Sequence, residues 1–148
     1  MILGIDPGLS GAWAILAEDG SITADDLPVA GSAINIPSFA KIVRDRAPKF
    51  AVVEDVHSMP KQGVASTFKF GCAHGAVLGV ILGQGIQTHM VAPTRWKKHF
   101  RLGADKEASR ALAIRMWPTA GCFSRKKDHG RAEAALIALW ARELISIS

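Results

Sequence analysis

Ile2-Leu3-Gly4-Ile5-Asp6-Pro7-Gly8 decides the reading of this chain. An apolar run that ends at once in an acid reads as a buried strand whose carboxylate emerges at the edge of a sheet. Phe50-Ala51-Val52-Val53-Glu54 repeats the pattern. A third acidic string, Lys126-Lys127-Asp128-His129-Gly130-Arg131-Ala132-Glu133, stands where an apolar helical pattern begins. Carboxylates converging from distant parts of a chain supply the oxygen ligands that magnesium and manganese prefer. In a basic protein the economical reading of such a group is two-metal cleavage of a phosphodiester.

Working outward, residues 1–6 form the first strand, 7–11 a turn and 12–17 a second strand. Glu18-Asp19-Gly20-Ser21 is a hairpin turn, because Asp-Gly tolerates the positive φ angles such turns require. Residues 22–29 continue as a third strand, and 38–46 carry helical spacing that Pro48 stops. Strands at 49–54 and 86–91 flank a helix at 66–82, and helices follow at 105–117 and 130–145. Hairpins make antiparallel neighbours, so the order implies a mixed α/β sheet of five strands flanked by helices, not an all-parallel one. Asp6 and Glu54 then leave neighbouring central strands, with the acidic helix crossing their ends.

The 148 residues are read as a single domain, 1–148, able to bury most of its apolar surface. Its hydrophobic and charged fractions, 49% and 21%, are those of a soluble globular protein and exclude a disordered one. A net charge of +5 and a pI near 9.6 favour a polyanionic partner. Cys72 and Cys122 lack metal-ligand spacing and read as reduced intracellular residues. The first apolar run has no basic stretch before it and ends in Asp6, so no signal peptide is expected. Residues 70–86 are nearly free of charge but fall short of the ~18–20 residues that span a bilayer. They read as a buried helix of a protein without a membrane partner.

Basic residues gather near the acids. Arg95, Lys97, Lys98 and Arg101 surround Trp96, while Lys126, Lys127 and Arg131 enter the last helix and Lys61 and Lys69 follow Glu54. Beside an acidic site they read as phosphate contacts, which give affinity without reading sequence. Trp96 reads as a core anchor. Asp25, Asp26 and Asp55 read as solvated or paired acids outside the site. Gly71, Gly75, Gly79 and Gly83 recur every four residues, although glycine inside a helix costs about 0.5–1 kcal/mol. Such a stripe implies a close backbone neighbour, either this protein's own sheet or a second copy across a dimer interface.

Ile5-Asp6-Pro7-Gly8 with Gly11, and Val53-Glu54-Asp55-Val56, resemble the RuvC family of Holliday-junction resolvases, within the ribonuclease-H-like fold. Met59-Pro60-Lys61-Gln62-Gly63-Val64, Phe68-Lys69-Phe70-Gly71, Pro93-Thr94-Arg95-Trp96-Lys97-Lys98 and Lys126 to Ala134 are similar to a bacteriophage and prophage branch. The resemblance runs through nearly the whole chain in order. It implies a magnesium-dependent endonuclease, with manganese as a substitute and no small-molecule cofactor. The enzyme would nick opposing strands of four-way or other branched DNA as a homodimer, in a bacterial cytoplasm. By the same resemblance Asp6 bridges two metals, Glu54 binds one, and Glu133 with an upstream neighbour completes the set.

Two departures are visible. The bacterial pattern has its last two acids three apart, where this chain has Gly130 and Glu133. Asp128 as a metal ligand and His129 as a residue that orients or activates water are the alternatives. Asp128 also suits the N-cap of the helix that follows. The bacterial wedge phenylalanine, three after the second acid, is replaced by His57, with Met59 close by. A ribonuclease-H-like enzyme acting on structured RNA and a non-catalytic DNA-binding module are the competing readings. Actin-like sugar kinases and ATPases share the opening strand, aspartate and Gly-rich turn, but the lack of a second domain and of a second phosphate-binding turn weighs against them.

Overall fold

The computed structural model describes residues 1–57 and 61–145. β1 (Ile2–Asp6), β2 (Ala12–Leu16) and β3 (Ile22–Asp26) form an antiparallel meander. The second of its turns is the expected one, with Gly20 at φ +89° and the Asp19 carboxylate accepting from the Ser21 amide. The third strand stops at Asp26, before Pro28, and not at Val29. Val29–Ala30 (β4) instead pairs with Ala33–Ile34 (β5) in a separate small hairpin. α1 (Ile36–Arg46) carries Pro37 in its first turn and an Asn35 side chain that caps the Ser38 amide.

β6 (Phe50–Glu54) then pairs parallel with β1, and after α2 (Val64–Gly83) the chain adds β7 (Gln87–Val91), parallel to β6. The five-stranded sheet has the order β3-β2-β1-β6-β7, mixed as the hairpin argument required. Pro93–His99 forms α3, a short helix that the sequence pattern does not predict. α4 (Lys106–Met116) and α5 (His129–Leu144) complete the fold.

Period-2 alternation divides the core between the two sheet faces. Leu3, Ile5, Ala51 and Val53 pack with Phe39, Val43, Val77 and Ile81 of α1 and α2. Ile2, Ala14, Phe50 and Val52 pack with the long apolar run of α5, from Ala132 to Ala141. Gly4 lies on the α5 face, where an added Cβ would stand 2.1 Å from the Ala134 carbonyl oxygen. Only glycine lets the α5 backbone cross β1 there. Asp6 and Glu54, two residues beyond Gly4 and Val52, point to the same face by the same alternation.

α2 departs from the buried helix expected of residues 70–86. Its 20 residues are long and apolar enough to cross a membrane by length and composition, yet only 22% of that span is buried. Its fully buried residues are Ala73, Val77 and Ile81, a single stripe with i, i+4 spacing. Gly71, Gly75, Gly79 and Gly83 lie on the opposite side, exposed, and among the described residues each has open space where a Cβ would be. Packing of the glycines on the protein's own sheet is therefore excluded.

Candidate active site

Asp6 leaves the end of β1, Glu54 the end of the adjacent parallel β6, and Glu133 the second turn of α5 above them. One oxygen from each carboxylate lies within 4.8 Å of the others. Glu54 and Glu133 are buried and Asp6 keeps a partly open surface. Burial, followed by the charges of Glu133 and Glu54, holds the Asp6 carboxyl well above its ordinary range, against the pull of Lys106 and Lys97. Burial also raises Glu54. The Trp96 hydrogen bond opposes that rise, Glu133 adds to it, and Lys97 and Lys106 oppose it. Three crowded acids in a half-dry site repel one another, and an added divalent cation relieves that repulsion. The donor set is all oxygen, which suits magnesium or manganese.

Two amino groups flank the acids. Lys97 Nζ lies 3.9 Å from Glu133 Oε1 and 5.5 Å from the Trp96 ring. Lys106, at the start of α4, acts on both Asp6 and Glu54 and is not among the site residues that the sequence predicts. Trp96 is fully buried, but it is more than a core anchor, because its indole Nε1 donates to Glu54 Oε2 at 2.7 Å. Sequence offers one signal for it: the Pro93-Thr94-Arg95-Trp96 string begins at the end of β7, the strand beside the one that carries Glu54.

Asp128 does not join the three acids. Its carboxylate is buried against Arg125, accepting from the backbone amide at 2.7 Å and from Nε at 3.0 Å, with Arg131 Nε 3.7 Å away. It stands at the N-cap position, yet its side chain makes no capping bond. His129 opens α5 and also stays out of the group. The position facing Asp6 is Gly130, where a Cβ would lie 3.3 Å from Asp6 Oδ2 and 3.4 Å from the Ser10 carbonyl oxygen. Among the described residues the acidic set therefore has three members, with glycine where the fourth would project.

Arg131 is likewise not a free phosphate contact. Its guanidinium is paired with Asp26 at 2.9 Å and Asp25 at 3.0 Å, and its side chain is 15% exposed. Those two acids, read as solvated or paired, are paired. Lys61, Lys69, Lys98, Lys126 and Lys127 are exposed. Arg95 lies over the Trp140 ring at 5.6 Å. His57 is exposed beyond Glu54 and borders a cavity of about 410 Å³ with Val56, Phe70 and Pro93. Met59 and Pro60 lie outside the described residues.

No family model matches the chain. Over 95 residues, 62% of its length, the chain is 37% identical to "Holliday junction resolvase MOC1, chloroplastic" of Chlamydomonas reinhardtii, and it spans only 11% of that relative. Two Thermus thermophilus RuvC structures superpose with a TM-score of 0.66. One is a complex with a Holliday junction substrate, at 20% identity over 95% of this chain and 91% of that one. The other has 17% identity over 97% and 95% of the two chains. The fowlpox virus Holliday junction resolvase gives a TM-score of 0.55 at 17% identity, covering 96% of this chain and 97% of that one. The fold is that of RuvC, ribonuclease-H-like, with a mixed five-stranded sheet between helices.

Proposed function

We propose that this chain is a divalent-cation-dependent endonuclease that cuts four-way and other branched DNA as a homodimer. The observation that carries the reading is the convergence of Asp6, Glu54 and Glu133 within 4.8 Å at one edge of a RuvC-type sheet. The naming of the 37% relative as a Holliday junction resolvase supports the substrate class.

Asp6, Glu54 and Glu133 would hold magnesium or manganese. The bound cations supply activation of the attacking water and stabilisation of the leaving 3′ oxygen. The protein gathers the acids and fixes them, while burial and crowding hold the Asp6 and Glu54 carboxyls above their ordinary range. Lys97 and Lys106 lower their mutual repulsion, the Trp96 indole N–H holds one oxygen of Glu54, and burial keeps competing water away. The exposed lysines near the site would contact phosphates, giving affinity without sequence preference.

The second partner would be another copy of this chain. α2 exposes Val64, Phe68 and Leu82, and its glycine stripe faces open space. A two-fold pairing of this face matches the symmetry of a four-way junction.

The deciding experiment is cleavage of a synthetic four-way junction beside duplex, flap and single-stranded controls, with magnesium, manganese or chelator. Metal-dependent paired nicks that vanish in Glu54→Gln are expected. Asp6→Asn should stop cutting yet keep or tighten junction binding, because it removes a ligand and a repelling charge together. Absence of DNA cleavage by folded, metal-supplied protein would overturn the proposal and direct the same assay to structured RNA.

A further inference from the structure

A carboxylate at a strand end is not rigid on its own, since its terminal torsion is broad and two-fold. Glu54 is held by an element remote in sequence. Val91 pairs in register with Glu54 across the β6–β7 ladder, and the Asp55 amide donates to the Val91 carbonyl at 2.7 Å. Ala92 then leads into α3, whose first residue, Pro93, has its φ fixed by the ring. One turn later, α3 delivers Trp96 beneath Glu54 and Lys97 beside Glu133. Trp96 has no exposed surface and its Nε1 has one acceptor, Glu54 Oε2, at 2.7 Å. The buried indole N–H groups of Trp13 and Trp140 find no acceptor among the described residues, whereas that of Trp96 meets a carboxylate, and a charge-assisted bond of this length is among the stronger ones.

We propose that Trp96 is a positioning residue for the acidic centre, its indole N–H pinning Oε2 of Glu54 so that Oε1 is the oxygen presented to the cation. The inference rests on the metal-centre reading above and goes beyond it by assigning the orientation of one ligand to one donor. Without the pin, Glu54 turns between orientations that offer one oxygen or two, and the centre must order it each time a cation binds. Partners of this kind are worth about 10–100-fold in metal affinity or activity when removed.

The test replaces Trp96 with benzothienylalanine, which keeps the ring outline and puts sulfur where the N–H stands, and separately with Phe. Manganese affinity of the DNA-free protein is measured by calorimetry, alongside Tm and the cation dependence of junction cleavage. The expected result is a manganese Kd raised about 10-fold or more with Tm nearly unchanged, and cleavage restored by excess cation. A benzothienyl variant that binds manganese like wild type, while Glu54→Gln binds it weakly, would overturn the role of the N–H and leave the metal centre standing. An effect in Trp96→Phe alone would assign the residue to packing. Wild-type protein that binds no manganese, or Glu54→Gln that binds it unchanged, would overturn the metal-centre reading and this inference with it.

Discussion

At the scale of single residues, Asp128 shows how an acid in a suggestive string is claimed by other partners. Its side chain is 2% exposed and its oxygens are occupied by Arg125, with Arg131 close by. Burial pushes its pKa up, but the Arg125 hydrogen bonds and the Arg131 charge outweigh that, and the carboxyl lies below its ordinary value. Asp128→Asn is expected to lower stability at neutral pH by about 2 kcal/mol, since hydrogen bonds to a charged group disappear. A carboxyl depressed in the folded state stabilises above its unfolded pKa, near 4, and stops doing so as pH falls through the lower folded value. Urea denaturation of both proteins should therefore show the gap closing only under acid conditions, and an equal gap at every pH would refute the assignment. Asp6, Glu54 and Glu133 are legible in the sequence because each follows or opens a periodic run. The Asp25–Arg131 and Asp26–Arg131 pairs are not, because residues about a hundred positions apart share no local pattern. Gly130 is visible as a departure, but only the packed helix shows that its missing side chain would have faced Asp6.

Among the elements, α2 carries the least expected exposure. Its length and apolar character are readable, but which side it buries is not, because an almost uniformly apolar helix has no polar face to mark its orientation. The glycine spacing marks a special face, and the open space at all four positions places it outward. Gly75→Leu is accordingly expected to leave the monomer fold intact. Its Tm should be equal or higher, since glycine in a helix costs about 0.5–1 kcal/mol against alanine. Light scattering should show weakened self-association, with single nicks replacing paired ones. Wild type that is monomeric at all concentrations would refute the dimer. Binding of wild type to lipid vesicles would instead give this face to a membrane. α3 escapes the sequence pattern because seven residues, one of them the Pro at its start, are too few to display helical periodicity. The β3 boundary is overrun because β3 is an edge strand, where Pro28 and the two acids Asp25 and Asp26 do not forbid continuation, whereas its pairing ends at Asp26 opposite Ala12, where β2 begins.

For the molecule as a whole, the five-stranded mixed sheet follows from the hairpin signals, whereas the strand order and the two cores depend on which helix covers which face. Lys126 and Lys127 are exposed at the entrance to α5, close to the acidic edge. Replacing both with Gln is expected to weaken junction and duplex binding alike, measured in EDTA. The slope of log K against log salt should shrink by about 2, near 0.9 for each phosphate that is no longer neutralised. An unchanged slope would move the DNA path elsewhere. The close crossing of α5 over Gly4 has a consequence for the life of the chain during synthesis. Asp6 and Glu54 are translated early, but their third partner arrives only when residue 133 has been made and α5 has docked on strands completed long before. A nascent or truncated chain that ends before residue 133 would thus hold two of the three acids. The proposed cation site would be completed in one late step, coupled to completion of the central core.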